Sequence, residues 1–568
     1  MISLNKKISI ANGIVKAEKV FKNGVIANVF TGEFIKADIA VEEDYIIAIG
    51  QYEGKEEIDL EGKIICPTLI DGHVHIESSM VSPAEFTRAV LPRGIATVIA
   101  DPHEIANVKG KEGIDYMLEA TEGLPLKVYF MMPSCVPATD FETSGARLNS
   151  SDLLEYKGRE RVLGLGEMMN FPGVIYQDED VINKIKAFSN EKIDGHGPML
   201  SGRDLNAYIA AGITTDHECS TLEEMRERLR LGMYVQMREG TGAKNLRALI
   251  KGLNKDNMSR CFFCTDDRHP ESLLSEGSID NNIRIAISEG VEPIDAIKLG
   301  SFNAASAYNL KGIGAIAPNY KANFIVLNEL ESFDVDSVYI EGVLTAKDGE
   351  IISDIRETSI EKVSNTVNIP SIDISDLKMN PKKNKGKLFA IGVVPESLIT
   401  EKILVKDPII DEDLIYDNGF NKLVVINRHT GDKNIGISAI AGFGKINGAI
   451  ASTIAHDSHN IIVVGNNDED ILKAIQTIEE IEGGLAVVRG EFVEKLPLEI
   501  AGIMSSQDIR YVDKKIQNMK EISFNMGVNK EIDPFMTLSF MALPVIPSIK
   551  LTDRGLFDVE EFKFMEEI

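Results

Sequence analysis

Positive charge is what this chain most lacks. Its 568 residues carry 60 lysines and arginines against 88 aspartates and glutamates, for a formal charge of -28. Such an acidic surface repels the phosphate backbone of nucleic acids and the headgroups of anionic membranes, so neither is expected as a partner, whereas a small neutral ligand stays compatible. Cysteine is scarce as well. The five residues Cys66, Cys135, Cys219, Cys261 and Cys264 are sparse and odd in number, which fits a reducing cytoplasm better than a disulfide framework. No apolar stretch approaches the length of a membrane span, and the opening Met1-Ile-Ser-Leu-Asn-Lys-Lys lacks the apolar core of a signal peptide. Internal repeats and low-complexity tracts are missing too.

What is present is a run of short apolar segments, each ending at a charged or metal-competent side chain. The eight are Ile64 to Asp71, closing in Asp71-Gly-His73-Val-His75; Ala96 to Ala100, before Asp101-Pro-His103; Val128 to Met132; Val162 to Gly166, before Glu167; Ile193, before His196; Ile213 to Thr215, before Asp216-His217; Tyr234 to Met237, before Arg238-Glu239; and Cys261 to Cys264, before Asp266. Segments of helical period lie between them, opening with caps such as Ser82-Pro83 and Ser220-Thr221 and closing at Gly94, Gly212 and Gly232. Strands alternating with helices imply a parallel sheet, and eight of them predict a (β/α)8 TIM-type barrel over residues 64–309. In such a barrel the carboxyl ends of all strands converge on one mouth, where residues distant in sequence can share a site.

The length exceeds one ordinary core, at a prior of about 150 residues per domain. Residues 1–63 and 310–365 share a texture of short β runs broken by glycine and acidic turns, predicting a small composite β-sandwich beside the barrel. Residues 366–386 are polar and lysine-rich (Lys378, Lys382, Lys383, Lys385) and read as a linker. Residues 387–568 read as a separate C-terminal α/β (α+β) domain, with strand-like Leu423–Ile426 and Ile461–Val464 and an amphipathic helix from Asp468 to Glu482.

His73 and His75 are one residue apart, so an extended strand projects both rings to one side. His103, His196, His217 and His269 also fall at or just after strand ends. Six residues then make a two-metal set: His73, His75, Glu167, His196, His217 and Asp266. Imidazole and carboxylate ligands suit Zn, Mn or Fe, and Glu167 is the natural bridge between ions about 3.5 to 4 Å apart. Plainer roles stay open: a salt bridge for Glu167, a cap for Asp266, hydrogen-bonded core positions for His196 and His217.

The motifs Asp71-Gly-His73-Val-His75, His75-Ile-Glu77-Ser-Ser, Ala100-Asp-Pro-His-Glu104, Gly164-Leu-Gly-Glu167, Asp194-Gly-His-Gly-Pro198, Thr215-Asp-His-Glu218 and Cys264-Thr-Asp-Asp267-Arg-His resemble the amidohydrolase superfamily and, within it, the bacterial adenine deaminases. The resemblance covers nearly the whole chain. It implies a binuclear divalent metal centre, with Mn2+ favoured and Fe2+ or Zn2+ as alternatives, and hydrolysis of adenine to hypoxanthine and ammonia by metal-bound hydroxide at C6, a purine salvage reaction. A homo-oligomer is expected. Glu167 stands where relatives acting on cyclic amides carry a carboxylated lysine, which weakens the competing reading as a cyclic amide or amidine hydrolase; a barrel that binds a metal or nucleobase without catalysis is the other alternative. For the chemistry, Asp266 is expected to shuttle the proton and Glu77 to hold or protonate the ring edge. Asp101 and His103 are further catalytic candidates, and Arg238, Glu239 and His269 substrate-binding ones, each equally able to orient a metal ligand.

Three other patterns carry less. Cys261-Phe-Phe-Cys264 has zinc-like spacing, but residues three apart on a strand face opposite ways, so core packing is expected. Gly442-Phe-Gly444 with Gly448 has the wrong spacing for a dinucleotide loop, and Asn149-Ser-Ser151 is a sequon without use inside a cell. His456-Asp-Ser-His459-Asn460 could cap a turn, bind a separate ion or reach the barrel mouth.

Overall fold

The computed structural model describes residues 2–379, 388–395, 397–405 and 419–565. At its centre lie eight short strands: β1 (Leu69–His75), β2 (Ile95–Ala100), β3 (Lys127–Met132), β4 (Val162–Met168), β5 (Lys192–Gly195), β6 (Thr215–Asp216), β7 (Tyr234–Arg238) and β8 (Cys261–Cys264). Strands β1 to β5 pair in parallel, in sequence order, and β6 to β8 form a second parallel ladder. Two contacts join the ladders into a TIM-type domain. Thr214 N–H donates to the Ile193 carbonyl at 3.0 Å, and Asp266–Asp267, just after β8, pairs in parallel with Val74 and His75 of β1. A side-chain staple adds to the second seam: Asp71 accepts from the Thr265 N–H and hydroxyl at 3.1 and 2.5 Å.

Strands β1, β2 and β8 are buried at every position, as expected of parallel strands covered on both faces. The helices between them start on local chemistry. Ser82 accepts from the Glu85 N–H with Pro83 as first helical residue, and Thr221 and Glu224 form a reciprocal capping box. Gly94 and Gly212 take φ of 92° and 107°, the left-handed turn that ends a helical segment before the next strand. Cys261 and Cys264 are buried, free thiols in β8, and Asn149 caps the helix Ser150–Leu154.

The first apolar run does not form one barrel strand. Ile64–Pro67 lies in a neighbouring nine-stranded sheet, between Ala17–Asn28 and Phe324–Glu329, and β1 begins only at Leu69. The switch falls at Thr68, whose N–H still faces the Asn323 carbonyl while that of Leu69 bonds Gly94. An unbroken apolar run carries no mark of which sheet each residue joins. Through Ile64–Pro67 the β segments before and after the barrel enter one sheet, and Phe21 packs its ring against Phe324 and Tyr339 at centroid distances of 4.8 and 5.0 Å.

Beyond residue 387 an eight-stranded sheet runs in the order Thr400–Val405, Leu388–Val393, Ile435–Ala441, Asn421–Ile426, Ile461–Gly465, Ala449–Ser452, Gly484–Arg489, Phe492–Pro497. All pairs are antiparallel except Leu388–Val393 with Ile435–Ala441. The helix Asp468–Glu480 buries Ile471, Ala474, Ile475 and Ile478 on this sheet; it stops two residues before Glu482, which turns to φ 58°. The polar stretch expected as a linker is docked over its described part. Leu377 is buried, Lys422 donates to the Leu377 carbonyl at 2.7 Å, and Asn368 N–H bonds the Arg428 carbonyl at 2.8 Å. Polar composition hid these main-chain anchors. Lys382, Lys383 and Lys385 lie outside the described residues. Among the described residues no helix is long and apolar enough to cross a membrane.

Candidate metal centre

The carboxyl ends of the strands bring five histidines and two acids into one buried cluster. Glu167, at the end of β4, stands in the middle. Its Oε1 is 3.3 Å from His75 Nε2 and 3.2 Å from His103 Nδ1, while Oε2 is 2.7 Å from His196 Nδ1 and 3.1 Å from His217 Nε2. One carboxylate thus faces two sets of imidazoles, one with each oxygen. Asp266 completes the first set, with Oδ1 at 3.1 Å from His75 Nε2 and 3.6 Å from His73 Nε2. Its backbone takes φ 60°, a left-handed conformation rare for a residue with a side chain and common where a site holds strain.

Metal-ligating atoms of His73, His75 and Asp266 lie within 4.8 Å of one another, as do those of His73, Glu167 and His217, and those of His196, His217 and Glu218. The six residues expected as ligands therefore converge. Glu218 joins them without having been singled out for a role, although it directly follows His217. It reaches 3.7 Å from His196 Nδ1 and is gripped by Arg238.

The electrostatics of the cluster favour a cation. Burial opposes charge on both acids, yet His196, His103 and His217 hold Glu167 well below the usual carboxylate range, and Arg238 with His73 and His75 does the same for Asp266. Burial likewise opposes protonation of the rings. Against it, Asp266 and Glu167 pull His75 well above its ordinary value, and Glu218 and Glu167 raise His196 to about 9. His73 moves the other way, lowered by burial and then by His217, and its Nε2 is a buried nitrogen with no hydrogen-bond partner. Acids that draw protons onto surrounding imidazoles, beside an orphaned ring nitrogen, form a donor set suited to divalent ions.

Around this cluster sit residues that touch its side chains. The Asp101 carbonyl is 2.9 Å from His75 Nδ1, and its Oδ2 accepts from the Glu167 N–H at 2.9 Å. That approach requires a bare Gly166, where an added Cβ would fall 2.0 Å from Asp101 Oδ2. Glu77 accepts from the Ile105 N–H at 3.3 Å, leaves Oε2 buried without a partner, and is pushed up to about 7 by burial. His269, at the start of the helix Pro270–Ser275, borders a small cavity with Glu77, Glu104, His456, His459 and Ile503. For Glu239, burial raises the pKa, and the charges acting on it are those of Lys244, Arg268, Glu276 and Arg247.

An amidohydrolase family model matches residues 64–345, and a model of the adenine deaminase C-terminal domain matches residues 397–563. A protein of Clostridium acetobutylicum called adenine deaminase is 50% identical, over 100% of both chains. The chain belongs to the adenine deaminase family. Adenine deaminase 2 of Carboxydothermus hydrogenoformans is 45% identical over 98% of each chain, and the adenine deaminase of Halalkalibacterium halodurans is 45% identical, covering 99% of this chain and 98% of its own. In adenine deaminase terms, what sequence reasoning left unassigned is Glu104 and Glu218. Both directly follow a histidine at a strand end and close a motif that carries the family resemblance.

Proposed function

We propose that this chain hydrolyses adenine to hypoxanthine and ammonia at the mouth of its barrel. The observation that carries the reading is Glu167, whose two oxygens face separate imidazole sets in a chain that belongs to the adenine deaminase family. His73, His75 and Asp266 would hold one divalent cation and His196 and His217 a second, with Glu167 between them; Mn2+ is favoured over Fe2+ or Zn2+. When bound, such a pair supplies the acidity that lets water ionise near neutral pH, by lowering its pKa from about 15.7 to about 7.

The protein's own groups then act on adenine. Asp266, held by Arg238, accepts the proton of the attacking water and returns it to the departing amine as the C6–N bond breaks, so that water and adenine give hypoxanthine and ammonia. Glu77, with a buried oxygen free to meet the ring edge, holds a purine nitrogen. Asp101 and His103 fix the orientation of His75 and Glu167. Arg238 and His269 border the substrate. By the same reading the chain divides into a barrel that begins at Leu69 and ends near 309, a flanking β domain from 1–67 and 310–365, a polar connection at 366–386, docked over its described part, and a C-terminal α/β (α+β) domain at 387–568, and it works as a cytoplasmic homo-oligomer. The test is ammonia release from adenine by protein reconstituted in turn with Mn2+, Fe2+ and Zn2+. No release with any of the three, from folded and metal-loaded protein, rejects the function.

A further inference from the structure

The segment His456–Asn460 belongs to the C-terminal unit, yet its two imidazoles end on a carboxylate of the barrel domain. His456 Nδ1 bonds Glu104 Oε1 at 2.8 Å, and His459 Nε2 bonds Glu104 Oε2. Both oxygens of one buried carboxylate are taken by histidines 352 and 355 positions further along the chain. Glu104 lies in the first turn of the helix His103–Ala120 and also approaches His103, whose Nε2 is 3.5 Å from Glu104 Oε1. The opposite nitrogen of that ring, Nδ1, is the one 3.2 Å from Glu167 Oε1. This last contact is close without being aligned as a hydrogen bond, for His103 Nδ1 has no partner of proper direction. The His103 ring therefore stands among three carboxylates, with Glu104 at Nε2 and Glu167 and, at 3.7 Å, Asp101 at Nδ1.

The segment that holds Glu104 is itself braced. Arg428 is fully buried and, among the described residues, bonds only neutral oxygens: the His459 carbonyl, the Thr366 hydroxyl at 2.9 Å and the Ala501 carbonyl at 3.0 Å. A buried guanidinium without an acid is costly, and here its three contacts pin the backbone that carries His459. His429 Nε2 bonds the Ser458 carbonyl at 2.8 Å, Asn460 reaches across to the Thr143 carbonyl at 2.8 Å, and Phe540 stacks on the His456 ring.

Glu104, His456 and His459 also have ligating atoms within 4.8 Å of one another, as a metal site would. The tautomer argues otherwise. His459 Nδ1 accepts from the Ala455 N–H at 3.4 Å, which leaves the ring proton on Nε2, directed at Glu104. The nitrogen that a cation would need carries that proton instead.

We propose that His456 and His459 are positioning residues of the barrel site: they clamp Glu104, and through it the His103 ring, in the orientation that supports Glu167. The turnover arm of the test rests on the adenine reading above; the spectroscopic arm does not. In full-length protein, His459→Leu lowers kcat for adenine roughly ten- to a hundredfold, the usual cost of removing an outer partner of a metal site, while KM stays within about threefold. His459→Gln, which keeps an N–H donor, recovers most of the loss. Loaded with Co2+ in place of the native metal, His459→Leu binds as much cobalt as wild type but shows shifted visible absorption bands. Unchanged kcat in an active wild-type background, or unchanged bands, overturns the proposal. So does a fall in cobalt content, which would mark His459 as a ligand, or a rise in KM alone, which would mark it as a substrate contact. Should His459→Leu fail to fold, Glu104→Gln takes its place with the same expected changes. If wild type releases no ammonia from adenine, the functional reading fails and the cobalt spectra still decide this one.

Discussion

Arg238 Nη1 donates to Asp266 Oδ2 at 2.5 Å, and the same buried guanidinium grips Glu218. Its charge is the main force that keeps Asp266 ionised against the effect of burial. Arg238→Gln removes that charge, so the Asp266 pKa rises. A reaction that needs ionised Asp266 then loses rate at higher pH than before, and the acid limb of kcat/KM shifts upward. An acid limb that stays in place, in metal-replete protein, rejects the link between this ion pair and the reaction.

Asp266→Asn keeps the shape and a ligating oxygen but cannot take a proton. Metal content should stay close to wild type while turnover falls about 10^2- to 10^4-fold, the range of a lost general acid–base group. Elemental analysis beside an ammonia assay reads both, and near wild-type turnover in a metal-replete variant removes the proton-transfer role.

Glu167→Gln should act on the metal rather than on the proton. The amide is close in size but lacks the charge that serves imidazoles on both sides, so after dialysis the variant should retain clearly less divalent metal than wild type, as loss of a carboxylate placed between two ions requires. Metal content equal to wild type would place the bridge elsewhere.

His429 predicts how the C-terminal unit responds to acid. Burial, with the nearby Arg428 charge, pushes its pKa down to about 3, whereas in the unfolded chain it returns to about 6.5. Between these values the unfolded chain binds a proton that the folded one excludes, so stability falls as pH drops through this window. At pH 5 the cost is about 2 kcal/mol, from about 1.4 kcal/mol per pH unit. His429→Gln lacks this term. The gap between wild-type and variant unfolding midpoints should therefore move in the variant's favour between pH 7.5 and pH 5, and a constant gap contradicts the assignment.

The barrel and its candidate ligands were legible because both follow from short-range rules. A buried strand shows as an apolar run, a helix start as Ser82-Pro83 or Thr221 with Glu224, and a parallel barrel sends every strand end to one mouth. Position on a strand end was thus enough to gather His73, His75, Glu167, His196, His217 and Asp266. The rule does not say which way a residue at a strand end faces: Arg238 turns to Asp266, whereas the charges that act on Glu239, the next residue, are those of Lys244, Arg268, Glu276 and Arg247. It also could not divide Ile64–Pro67 from β1, since either sheet buries an apolar run equally well.

The residues by themselves determined the repeating strand–helix pattern, the acidic surface and the kinds of ligand offered at each strand end, for these depend on side-chain chemistry and on neighbours a few positions away. Only the tertiary structure decided that Ile64–Pro67 ties two distant β segments into one sheet, that Glu218 stands beside His196, and that His456 and His459 close on Glu104. Each of these is a contact between segments whose separation along the chain carries no local signal. They arise because buried polar groups must find partners wherever the packed fold brings them.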